Sequence, residues 1–160
     1  MSIIKKVPKS EQRTEWLKCM ADPVYFLNTY GKVFDAQKQL ISDMTCFEYQ
    51  EDVLDDFLSH RFNITLKSRQ TGLSVITAGY CAWRLMFGEA ERVLIIANDG
   101  AGAIRFLETV KQFIDYLPEF LKPPKPKNAP SIYKTENKKM LQFHNECQIE
   151  AKAASPQAGR

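Results

Sequence analysis

Between Asn63 and Leu117 the chain changes hydrophobic period in an order that few folds accept. Asn63–Leu66 reads as a short apolar strand running into a small-polar loop, and the loop opens a helix over Val75–Phe87. Arg92–Ala97 (Arg-Val-Leu-Ile-Ile-Ala) is a short continuous apolar run, the mark of a strand buried on both faces in a parallel sheet covered by helices. Asn98-Asp99-Gly100 turns the chain into an amphipathic helix over Ala101–Leu117, capped by Asp99 and carrying Ile104, Leu107, Val110, Lys111, Ile114 and Leu117. Strand, loop, helix, strand, helix is a right-handed β-α-β unit and the start of an α/β core.

The loop of that unit carries the chemistry. Lys67-Ser68-Arg69-Gln70-Thr71-Gly72-Leu73-Ser74 has the layout of a phosphate-binding P-loop, whose usual pattern is G-x-x-x-x-G-K-[ST]. Gly72 takes the second glycine and Ser74 the magnesium-binding hydroxyl. Lys67 stands where the first glycine belongs, and Leu73 where the lysine belongs. Backbone N–H groups at a helix N-terminus hold a triphosphate, and the lysine adds a mobile ammonium whose tip matters more than its Cα. Lys67 leaning over the loop supplies that charge, and Arg69 adds a planar fork suited to phosphate oxygens. An ordinary strand–turn–helix with glycine at the bend fits the same letters.

The flanking sequence sets the frame. Ser10–Met20 reads as a helix capped by Ser10, with Trp16, Leu17 and Met20 on one face. Asp22-Pro23 starts a second helix, Val24–Tyr30, ended by Gly31. These fit either a lid or plain covering helices. Phe47–Gln50 precedes a helix over Glu51–Arg61 with Val53, Leu54, Phe57 and Leu58 as its core stripe. Gln50 presents one donor and one acceptor in an amide plane, as adenine recognition requires, and Phe47 or Tyr49 can cover a base. Core aromatics beside a solvated first-turn glutamine explain the same residues. Pro118–Pro130 is a proline-rich surface excursion. Seven lysines (111, 122, 125, 127, 134, 138, 139) against Asp115, Glu119 and Glu136 make 111–139 basic, suited to nucleic-acid phosphates or simply to solvent. Ser131–Thr135, Lys139–Phe143 and Gln148–Lys152 read as strands, with a turn at Asn145-Glu146.

Composition excludes several alternatives. The hydrophobic fraction of 44% and charged fraction of 26% are those of a globular protein. A net charge of +3 does not by itself imply nucleic acid. Cys19, Cys46, Cys81 and Cys147 form no C-x-x-C pair and read as reduced, mostly buried thiols. His60 and His144 are too few for a histidine metal site. No signal peptide or membrane-length apolar run is evident, so a cytoplasmic protein is expected.

Taken together, Gln50, Lys67–Ser74, Val93-Leu94-Ile95-Ile96-Ala97-Asn98, Phe120-Leu121 and Ser155-Pro156-Gln157-Ala158-Gly159-Arg160 follow one another in an order that resembles one family. It is the large terminase subunit, the DNA-packaging ATPase, of T4-like tailed phages, in its N-terminal ATPase part. Asp22-Pro23-Val24-Tyr25-Phe26 is also similar, so the resemblance spans roughly Asp22 to Arg160. Some terminases likewise carry the lysine at the front of the loop.

The resemblance implies an α/β fold with a P-loop NTPase core: three layers, with a mainly parallel sheet between helices, incomplete at the C-terminus. An N-terminal helical segment or lid would occupy 1–46 and the ATPase part 47–160. It implies ATP and Mg²⁺ as cofactors, bound by Gln50, Lys67, Ser68, Arg69, Gln70, Thr71, Gly72, Leu73 and Ser74, with Ser74 on the metal. Arg69 would act on the γ-phosphate or couple subunits, and Arg160 would be a trans-acting finger neutralising charge on the transferred phosphoryl group. The partners implied are double-stranded DNA, a portal protein, a small terminase subunit and a homo-oligomeric ring, in the cytoplasm of an infected bacterium. The family's Asp-Glu pair after an apolar strand and its acidic nuclease domain do not occur in these residues, so a fragment or truncated relative with little hydrolysis is expected. A different helicase-like P-loop ATPase and a non-catalytic α/β scaffold remain open.

Overall fold

The structure is a computed structural model, and it describes residues 7–35 and 39–155. Its first helices are α1 (Gln12–Ala21) and α2 (Pro23–Tyr30). Asp22 separates them: its carboxylate accepts from the Val24 and Tyr25 N–H groups at 2.7 and 3.1 Å, while Pro23 occupies the first helical position. Strands β1 (Lys32–Asp35) and β2 (Leu40–Asp43) form an antiparallel hairpin that the sequence reading had not singled out. Helices α3 (Glu48–Ser59) and α4 (Leu73–Phe87) follow, then β3 (Arg92–Ala97) and α5 (Gly100–Asp115). Asp99 caps α5 through the Gly102 N–H, as the sequence indicates. A short 3₁₀ turn at Glu119–Leu121 leads to β4 (Tyr133–Asn137), β5 (Met140–Phe143) and β6 (Gln148–Ala153).

The second sheet has the order β3-β6-β5-β4. β3 and β6 are parallel, whereas β5 pairs antiparallel with both β6 and β4. Asn145 and Glu146 make the β5–β6 turn, with Glu146 at φ +65° and the Asn145 side chain accepting from the Cys147 N–H. The fold is therefore α/β with a mixed sheet, and only one of its three pairings is parallel. That corrects the expectation of a mainly parallel sheet. Direction is decided by connection length here: tight turns join β4 to β5 and β5 to β6 and force antiparallel pairing, while the long α5 connection permits the parallel pair.

α5 packs on β6 and β3 and on α4, which in turn meets α2 and α3. The core between them holds Phe26, Leu27, Leu54, Ile76, Phe113 and Ile149, all essentially inaccessible. Each such side chain contributes roughly 1.5–3 kcal/mol by leaving water. The opposite face of β3 is different. Leu94 and Ile96 are 44% and 50% exposed, so β3 alternates along its length instead of being buried on both faces. Among the described residues the sheet and helices make two layers, not three.

Four further expectations are corrected. The strand over Asn63–Leu66 does not form: residues 60–70 are exposed, Ile64 and Leu66 fully so, and no described strand pairs with them. A strand is stable only when its N–H and C=O groups find a ladder, and none is offered there. In α1, Leu17 and Met20 face solvent while Glu15 is buried, because its carboxylate accepts from the Tyr25 and Tyr30 hydroxyls at 2.9 and 2.8 Å. Ser10 does not cap that helix; Glu11 precedes it without a side-chain cap bond. α3 begins at Glu48, not Glu51, which puts Tyr49 and Gln50 in its first turn. No described helix is long and apolar enough to cross a membrane.

Candidate functional site

Helix α4 is 15 residues long and opens at Gly72, which sits in the left-handed region at φ +71° with no side chain capping it. Glycine tolerates this conformation, whereas other L-residues are strained in it by about 1–2 kcal/mol. The Gly72 carbonyl accepts from Val75 and Ile76 at 2.9 and 3.0 Å. The N–H groups of Leu73 and Ser74 therefore have no helical carbonyl behind them, the usual state of a helix N-terminus. Gln70, two residues earlier, also has positive φ, +62°. The chain thus bends twice between Ser68 and Leu73.

The residues singled out in the loop divide by exposure. Lys67, Ser68, Arg69, Gln70 and Ser74 are exposed, and Thr71 is partly buried. Neither Lys67 nor Arg69 enters an ion pair among the described residues, so both cations stand free beside the start of α4. Leu73 is 8% exposed and belongs to the packed side of α4. A lysine at this position would start from a buried Cα–Cβ bond, not from an open one. Thr71 Oγ1 is buried with no hydrogen-bond partner among the described residues. An orphaned hydroxyl of this kind costs about 1–3 kcal/mol unless something satisfies it.

Gln50 does reach the loop. Its Nε2 donates to the Thr71 carbonyl at 3.0 Å, and its Oε1 accepts from the Phe47 N–H at 3.0 Å. The second bond is one half of a capping box, with Gln50 as the third helical residue reaching back; the Phe47 side chain has no oxygen to return the other half, and the Gln50 N–H instead donates to the Phe47 carbonyl at 2.8 Å. At 4% exposure with both poles of the amide engaged, Gln50 is a tie between α3 and the loop. It is not the solvated first-turn residue that was the alternative. A Cβ at Gly72 would lie 2.7 Å from Gln50 Nε2, so the tie and the glycine require one another.

Tyr49 adds a contact that the sequence reading missed. Its hydroxyl donates to the same Thr71 carbonyl at 2.8 Å, and its ring stacks on Phe47 with centroids 5.8 Å apart and planes 6° from parallel. Phe47 is 64% exposed and Tyr49 45%. Covering a base was the role considered for these aromatics from the sequence; the hydroxyl bond, 22 residues away along the chain, has no signature in it.

Arg160 lies outside the described residues. For magnesium, the chain offers the exposed Ser74 hydroxyl, and no cluster of three or more His, Cys, Asp or Glu side chains suited to a metal occurs among the described residues. A cleft of 640 Å³ runs between α3 and α4 past Phe57, His60, Arg61, Tyr80 and Arg84, but none of Lys67–Ser74 lines it. Its Arg84 is already paired with Glu91. In the basic 111–139 segment, Lys111, Lys122 and Lys134 are paired with carboxylates, leaving Lys125, Lys127, Lys138 and Lys139 exposed without an ion pair among the described residues. No family model matches the chain.

Proposed function

We propose that residues 47–74 bind an adenine nucleoside triphosphate and that the chain is the ATP-binding part of a viral DNA-packaging motor of the terminase type. The observation that carries the nucleotide reading is the exposed loop Lys67–Gly72, with two unpaired cations, ending at the uncapped N-terminus of α4. N–H donors and the helix dipole at the start of α4, preceded in the chain by two exposed positive charges, are what a polyphosphate needs. Thr71 Oγ1, buried and orphaned, is a further hydroxyl suited to a phosphate oxygen. Ser74 is the residue that would meet Mg²⁺ alongside phosphate oxygens, and the ion would neutralise charge on the transferred phosphoryl group. Lys67 and Arg69 would share that task by holding the terminal oxygens, Arg69 by its planar fork.

The motor assignment rests on the order of motifs from Gln50 to Arg160, and within it the reaction class is phosphoryl transfer to water. Thermal unfolding with and without ATP·Mg²⁺ tests the nucleotide reading. A ligand that binds only the folded chain stabilises it by about 2.7 kcal/mol at a hundred times its Kd, so the unfolding temperature should climb with ATP concentration. A midpoint that stays put at millimolar ATP sinks the reading and favours a non-catalytic α/β scaffold.

Contact of the basic 111–139 segment with DNA is a second reading, favoured by the four lysines left without ion pairs among the described residues, Lys125 and Lys127 on the proline-rich excursion and Lys138 and Lys139 in the β4–β5 turn. Duplex binding should then weaken steeply with salt, since each neutralised phosphate releases counterions. Replacement of Lys125, Lys127, Lys138 and Lys139 should flatten that dependence; an unchanged slope removes the reading.

A further inference from the structure

The Thr71 carbonyl is held by two donors from adjacent residues of α3, Tyr49 Oη at 2.8 Å and Gln50 Nε2 at 3.0 Å. A carbonyl oxygen has two lone pairs, so both bonds coexist. The two donors differ in freedom. Gln50 is buried, and its amide is the only one of the two groups that offers a donor and an acceptor in one plane, the pair an adenine edge requires. Both poles of that amide are engaged internally, by Thr71 and by the Phe47 N–H. A base can therefore use Gln50 only by taking it from the loop. Tyr49 is less committed: its hydroxyl donates to Thr71 and accepts only a long 3.4 Å bond from Gln50 Nε2, so it keeps its acceptor when the amide departs, and its ring stacks on Phe47.

From this we infer that Tyr49 is a positioning residue of the loop, holding the Thr71 carbonyl, and with it the Gly72 bend, when the Gln50 amide leaves for a bound adenine. The inference rests on the nucleotide reading and names how base and phosphate recognition are linked at that site. On that reading Gln50 is the member of the clamp that leaves when adenine binds, and Tyr49, which offers no amide edge to a base, is the member that stays on Thr71. Tyr49 and Gln50 are the side chains that hold the Thr71 carbonyl among the described residues, next to Gly72 in the left-handed region. Loss of both donors frees the loop just ahead of the α4 N–H groups on which the phosphates would rest.

Tyr49→Phe removes the hydroxyl and keeps the stack. Hydrogen exchange of the amides in 67–75 is followed in wild type and Tyr49→Phe, each without ligand, with inorganic tripolyphosphate and with ATP. Tripolyphosphate has no base, so Gln50 stays on Thr71 in that state. The expected result is near-equal exchange in the two proteins when free or with tripolyphosphate, and about fivefold faster exchange in the variant with ATP, the population change one neutral hydrogen bond supports. Equal acceleration in all three states would make Tyr49 an ordinary structural residue and overturn the inference, as would no difference in any state. If neither ligand slows exchange in the wild-type loop, the nucleotide reading itself has failed and the clamp fails with it. Amides of α5 provide the internal control that the variant is folded.

Discussion

Gly79 of α4 faces Leu27 of α2 so closely that a Cβ at position 79 would lie 2.6 Å from Leu27 Cδ2 and 3.4 Å from the Phe113 ring. The absence of a side chain there sets the approach of the N-terminal helices to α4 and α5. Gly79→Val inserts three carbons into a site with no room and gains little helix propensity to offset them. We expect a loss of about 1–3 kcal/mol, the usual range for overpacking, seen as a lower urea midpoint at unchanged slope. A midpoint equal to wild type would show that α2 slides on α4 without cost.

Leu73 occupies the place of the usual P-loop lysine, and from the pattern alone a lysine looks restorable there. At 8% exposure it is packed. Leu73→Lys has to bring its ammonium from a buried position to water, and it loses part of the roughly 1.5–3 kcal/mol that the leucine gains by burial. The expected outcome is a destabilised protein with no gain in ATP affinity. Wild-type stability together with tighter ATP binding would mean that the side chain at 73 points into the loop.

What the sequence made legible is uneven, and the reason is physical. α2 and β3 have their ends written locally: Asp22-Pro23 and Gly31 bound the one, and a six-residue apolar run bounds the other. The start of α3 was also within reach, since Gln50 three residues after Phe47 is half of a capping box. By contrast, Asn63–Leu66 has a strand's composition but needs a neighbouring strand to pair with, and pairing is decided elsewhere in the chain. The buried Glu15 defeats a hydrophobicity stripe because two tyrosine hydroxyls, 10 and 15 residues away, supply its hydrogen bonds. At the site, the loop was legible because helix N-termini and glycine bends are local. The Tyr49–Thr71 bond spans 22 residues and was not.

Lys67 is exposed and unpaired among the described residues, so truncating it removes charge without removing packing. Lys67→Ala should leave the urea midpoint within about 0.5 kcal/mol of wild type, the range for surface changes. ATP binding should weaken by about tenfold, as loss of a charge-assisted hydrogen bond entails. Lys127→Ala, on the proline-rich excursion, is the matched control. Equal affinities of the two variants in a titration would exclude Lys67 as the displaced P-loop lysine.

Cys46 and Cys81 carry thiols whose pKa is pushed up from 9.0 to about 11, Cys81 by burial and Cys46 by burial first and then by the charges of Glu51 and Asp22. A raised pKa means that folding favours the neutral thiol. The stabilising contribution is fully present below the unfolded value and is lost as pH rises through the folded one. Stability should therefore decline between roughly pH 9 and 11 by more than Lys and Tyr titration alone produces. A Cys46→Ala/Cys81→Ala chain isolates the effect: its stability starts lower but should fall less steeply over that window. Alkylation gives an independent reading, because near pH 9 about one per cent of such a thiol is thiolate in the folded state against half in the unfolded chain. Iodoacetamide should label both cysteines at least tenfold faster in urea than in buffer, with the sites assigned by mass. Parallel stability curves for the two proteins, or equal labelling rates, would show that neither thiol is held neutral by the fold.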